Sequence, residues 1–156
     1  MQTAKAVTGA TGESVSPYFF NIKIGIAMYR QLSVNIWTDD LVLSMSPEQK
    51  LLFLYLHTSP YSSGCGIYHL QLRTMGFQLG LTAAPIESAL RGLAAAFPDL
   101  VAIDWETKEV ALLQYPKQLL ITASKRVMGY VEKEIEKVQS QYLLRELIAR
   151  NSATLS

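Results

Sequence analysis

The side chains able to do chemistry are few and poorly placed for catalysis. Cys65, His57 and His69 are the only soft metal ligands in the chain. Cys65-x-x-x-His69 has neither the pairing nor the spacing of a zinc site, so structural placement is the expectation for all three. Asp39-Asp40 could be read as a metal pair, but adjacent carboxylates after Thr38 fit the first turn of a short helix, where negative charge is favoured. Gly64-x-Gly66 lacks the third glycine and the following lysine of a phosphate loop. No catalytic constellation, metal site or cofactor site emerges, and the expectation is a protein that binds rather than one that catalyses.

Cations are the remaining functional candidates, because attraction to phosphate needs positive charge without a neighbouring acid. Residues 28–115 hold five cations against eight acids, net −3, whereas residues 116–156 hold seven against four, net +3. Lys117, Lys125 and Arg126 have no acid between them and are the best candidates for DNA contact. Arg91 and Lys108 are secondary candidates: Glu87 opposes the first, and Asp104, Glu106 and Glu109 surround the second. Farther on, Lys133 and Lys137 alternate with acids in Glu132-Lys133-Glu134-x-Glu136-Lys137, the pattern of a solvated helix face.

The elements that must position these residues follow from periodicity. Residues 1–27 read as a flexible leader, without a secretory pattern, and the apolar run Tyr18 to Tyr29 is too short to span a bilayer. With a single cysteine and no membrane segment, the cytoplasm is the expected compartment. Gln31 to Trp37 alternates polar and apolar residues, which predicts a half-buried strand. Ser46-Pro47-Glu48-Gln49 predicts a capped helix to about His57, with Leu51, Leu54 and Tyr55 as its buried stripe. A short strand at Gly66 to Tyr68 precedes a helix over Leu70 to Leu79, closed by Gly80. A third helix starts after Thr82 and ends at Pro98, with Ala83, Ala84, Glu87, Ser88, Arg91 and Ala95 outward. Leu100–Asp104 and Glu109–Leu113 predict a hairpin with an exposed tip at Trp105 to Lys108.

This order predicts an α+β, mainly α, winged helix over 28–115: a helix-turn-helix plus β-hairpin. The expected core is Leu51, Leu54, Leu72, Leu79, Ile86, Leu90, Leu93, Ile103 and Val110. One long C-terminal helix, Ser124 to Ala149, is expected in the tail of 116–156. Its stripe of Val127, Val131, Ile135, Val138 and Tyr142 is the candidate oligomerisation surface. A composition 49% hydrophobic and only 17% charged likewise points to self-association, at least to a dimer.

Tyr29-Arg30, Trp37-Thr38-Asp39, Ser46-Pro47-Glu48-Gln49-Lys50, Thr58-Ser59-Pro60 and Cys65-Gly66-Ile67-Tyr68 resemble the N-terminal domain of phage and prophage replisome organisers of the DnaD-like type. The Asp104 to Val110 hairpin and Val131 to Ile135 fit the same pattern, so the likeness covers roughly residues 29 to 140. It implies a winged helix used for self-assembly and origin recognition, with a helicase or helicase loader as a further partner. The family pattern would begin near Met28 and continue into a second helical domain, so a fragment or a shortened relative is expected. The competing expectation is a protein-interaction or regulatory adaptor without direct DNA binding, which the −3 of residues 28–115 favours.

Overall fold

The computed structural model describes residues 7–8, 14–15, 32–115 and 125–155, with side chains described over 32–115 and 125–152. The chain divides into two units, 1–32 and 33–156. In the first, β1 (Val7–Thr8) pairs antiparallel with β2 (Ser14–Val15), so the expected flexible leader carries at least this backbone ladder.

The second unit opens on a 3₁₀ turn, Val34–Thr38, followed by α1 (Asp40–Ser44) and α2 (Pro47–Thr58). β3 (Ile67–His69), α3 (Leu72–Leu79), α4 (Ala83–Ala96), β4 (Val101–Asp104) and β5 (Glu109–Leu112) come next. The tail supplies α5 (Lys125–Ile135) and α6 (Gln141–Leu155). The unit is α+β and mainly helical. Its three strands form one antiparallel sheet in the order β3-β5-β4, with His69 and Asp104 both opposite Glu109. Among the described residues no helix is long and apolar enough to cross a membrane.

Local signals account for most boundaries. Ser46 and Gln49 form a complete capping box at the start of α2, at 3.2 and 2.9 Å. Asp39 caps α1 by accepting from the Leu41 and Val42 amides, and Asp40 lies in its first turn. Gly80 closes α3 at φ 68°, and a Cβ on Gly76 would lie 2.6 Å from the Leu81 carbonyl oxygen. Gly76 and Gly80 thus make the tight passage from α3 into α4.

The sheet separates two apolar clusters. On its front, Val101, Tyr68, Val110 and Leu112 meet Leu52 and Leu56 of α2, Met75 of α3, and Ile86, Leu90 and Leu93 of α4. On its back, Ile67, Ala102 and Ala111, with Cys65 and Leu113, meet Val131 of α5 and Leu143 and Leu147 of α6. The period-2 alternation of β5 feeds both sides, and all four of its residues are buried.

Four expectations are corrected. The strand expected from Gln31 to Trp37 is absent over its described residues, 32–37: Val34–Thr38 forms the 3₁₀ turn, tied by Ser33 Oγ accepting from Asn35 N and by Thr38 Oγ1 donating to Asn35 O. Alternation makes a strand only where the segment pairs with another strand, and this one joins neither edge of the β3-β5-β4 sheet. The buried stripe of α2 is Leu52 and Leu56, whereas Leu51 is 43% exposed and Leu54 half-buried. Leu51 to Leu56 is almost continuously apolar, so periodicity could not choose the phase. The tail is two helices, because the chain turns at Glu136–Gln139 and restarts at Ser140, whose Oγ accepts from Leu143 N. Finally, the hairpin tip is only partly exposed, and Trp105 packs half-buried against the front cluster.

Candidate functional site

α4 and the hairpin bring two of the five candidate cations together. The outer face of α4 presents Ala83, Ala84, Ser88, Arg91 and Ala95, with Glu87 half-buried. Arg91 donates to Glu87 Oε1 from Nε at 3.2 Å and from Nη2 at 2.7 Å, the i,i+4 spacing of one helix turn. Its guanidinium lies 4.0 Å from the Trp105 ring centroid, and Lys108 Nζ lies 5.6 Å from the same centroid. Both are cation–π geometries. Lys108 itself stands at φ 58°, left-handed backbone for a side-chain-bearing residue, and its carbonyl accepts from Leu70 N at 2.7 Å.

Arg91 is therefore committed twice, to a carboxylate and to an indole. Its Nε–Nη2 edge is taken by Glu87, so reading a base through that edge means giving up the carboxylate. Trp105 is correspondingly covered by cations and core.

The tail cations are differently placed. Lys125 and Arg126 are exposed in the first turn of α5, and neither forms an ion pair among the described residues. Lys117 lies outside the described residues. Farther along, Lys137 pairs with Glu134 at 2.6 Å, and that contact raises the lysine pKa.

The five stripe residues divide. Val131 is 6% exposed within the back cluster, and Val127 and Val138 pack against it, so these three are occupied inside the subunit. Ile135 and Tyr142 remain outward, at 38% and 52%.

Sequence reasoning missed two features. Val34, Trp37, Leu41 and Leu43 stand 86%, 59%, 48% and 56% exposed on two successive short helices, although the strand reading put Val34 on its apolar side. The second is the hairpin base. Glu109, one of the acids that surround Lys108 in the sequence, is buried and accepts from Gln139 N and Ser140 N. Its register partner Asp104 accepts the Ser140 hydroxyl at 2.6 Å, which holds the Asp104 carboxyl below its ordinary range. No local signal reveals a partner some thirty residues away.

The soft ligands sit apart from one another. Cys65 is buried, its Sγ 3.2 Å from Ser63 Oγ, while His57 Nδ1 meets the Phe53 carbonyl at 2.8 Å and His69 contacts Gln71. Among the described residues no group of three or more His, Cys, Asp or Glu side chains could hold a metal ion. A cleft of about 350 Å³ lined by Asp99, Leu113, Gln114, Arg150 and Asn151 offers no nucleophile, and Arg150 in it is engaged with Glu146 and Asp99. The chain matches no protein-family model, no curated protein and no solved structure.

Proposed function

We propose that the chain is a winged-helix assembly module of the replisome-organiser kind, one that self-associates and touches DNA weakly and without sequence preference. The order α2, β3, α3, α4, β4–β5 supports the winged-helix reading. The apolar surface of Val34, Trp37, Leu41 and Leu43 carries the proposal, since four large apolar side chains on the 3₁₀ turn and α1 are costly to leave in water. DNA contact belongs to Lys117, Lys125 and Arg126 rather than to α4, because Arg91 is held by Glu87 and Trp105.

The test is mass in solution with and without a DNA duplex, combined with a salt titration. Trp37→Ser with Leu43→Ser should reduce the mass of the free protein. Replacing Lys117, Lys125 and Arg126 with Ala should weaken duplex binding at low salt and lower the salt slope by roughly three units if each meets one phosphate. Arg91→Ala should matter less. A monodisperse monomer at micromolar concentration refutes the assembly reading. The capture of Arg91 also favours a second reading, a winged-helix adaptor for protein partners alone. A wild-type protein that assembles but shows no salt-dependent duplex binding would establish it.

A further inference from the structure

We infer that α5 and α6 form a strap that opens from the back of the sheet as its own cooperative unit, with the Glu109 carboxylate as its latch. The first ground is the division of the core. The apolar side chains that the strap buries, Val131, Leu143 and Leu147, lie in the back cluster, which shares no buried residue with the cluster of α2, α3 and α4. Opening free energies follow such boundaries, because a unit can leave when no other unit's packing depends on it.

The second ground is the chemistry of the latch. Glu109 is 5% exposed and receives Gln139 N on one oxygen at 3.1 Å and Ser140 N on the other at 2.7 Å. No cation pairs with it among the described residues. Its buried charge is therefore satisfied by these two donors and by the positive end of α6. Asp104, directly opposite Glu109 in the ladder, takes the Ser140 hydroxyl, and Ser140 Oγ in turn accepts from Leu143 N. Opening the strap gives up these contacts and exposes both carboxylates to water, whose hydration offsets part of the loss. Closing reverses each term.

Cys65 makes the inference measurable, for it is the only cysteine in the sequence and is 1% exposed in the back cluster. The experiment is the rate of Cys65 labelling by an aromatic disulfide reagent on the full chain, across low urea concentrations, beside amide hydrogen exchange of α4. Wild-type Cys65 should label faster than global unfolding allows, with a shallower urea dependence.

Glu109→Gln keeps the size of the side chain but leaves one acceptor and turns an amide NH2 against a backbone N–H. Labelling should rise roughly ten- to hundredfold, the equivalent of one charge-assisted hydrogen bond, with α4 exchange unchanged. Asp104→Asn should act in the same direction and more weakly, since its amide can donate to Ser140 Oγ. Leu90→Ala, in the front cluster, should speed labelling only through global unfolding. Wild-type labelling that carries the full urea slope of global unfolding would overturn the inference. So would a Glu109→Gln acceleration matched by equal loss of protection in α4.

Discussion

Asp104 has its low pKa first from the Ser140 hydroxyl and then, against a smaller desolvation effect, from the Glu106 and Thr107 amides. The sign of its linkage to folding follows directly. A carboxyl depressed in the folded state contributes stability in full above its unfolded value, ordinarily 3.8, and loses that contribution as pH falls through the lower folded value. Wild-type stability should therefore fall more steeply than that of Asp104→Asn below about pH 4, with the two curves parallel from about pH 5 to 7. Urea midpoints across this range measure it, and curves parallel down to about pH 2 would show that the carboxylate has no linked role. The same residue shows the limit of reading charge along a sequence. Asp104, Glu106 and Glu109 look like one acidic, solvated wing, yet two of the three are donor-satisfied groups that hold α6.

Among the elements, α4 carries the front cluster, contributing three side chains at 0% exposure, Ile86, Leu90 and Leu93. Leu90→Ala should cost about 2–5 kcal/mol, the transfer term plus whatever cavity the neighbours cannot close. A thermal or urea midpoint indistinguishable from wild type would show that α4 does not anchor this core. The face of α4 was legible in the sequence because charge and small residues mark one side of an otherwise apolar period, and the hairpin was legible because Glu106, Thr107 and Lys108 interrupt two apolar-rich runs. The capping box at Ser46 and the left-handed Gly80 are local for the same reason. What could not be read depends on distant partners. The break at Glu136–Gln139 contains no glycine or proline, and the acceptors that receive its backbone are on Glu109. The turn at Val34–Thr38 has strand-like alternation but pairs with neither edge of the sheet. The candidate site was legible as single cations, while the contact of Arg91 and Lys108 with Trp105 required the hairpin to fold back on α4.

At the scale of the whole molecule, two apolar surfaces compete for the role of assembly interface. One is Val34, Trp37, Leu41 and Leu43, and the other is the outward part of the tail stripe, Ile135 and Tyr142, with Tyr130 and Ile148 also exposed on the same two helices. The tail stripe as a whole cannot be probed by charge, because Val131 belongs to the back cluster. An aspartate there would be an unpaired buried charge and would unfold the strap, lowering mass or raising it through aggregation for reasons unrelated to an interface. Ile135→Ser with Tyr142→Ser avoids this difficulty, since both side chains are more than a third exposed and their loss should change stability little. The four residues of the first surface lie on consecutive short helices, whereas Ile135 and Tyr142 sit on separate helices with the Glu136–Gln139 turn and its charges between them. The expected outcome in light scattering is a lower mass for Trp37→Ser with Leu43→Ser and an unchanged mass for Ile135→Ser with Tyr142→Ser, both folded by circular dichroism. If only the tail pair lowers the mass, the tail is the assembly interface, and the apolar surface beside α2 must be explained by a different partner.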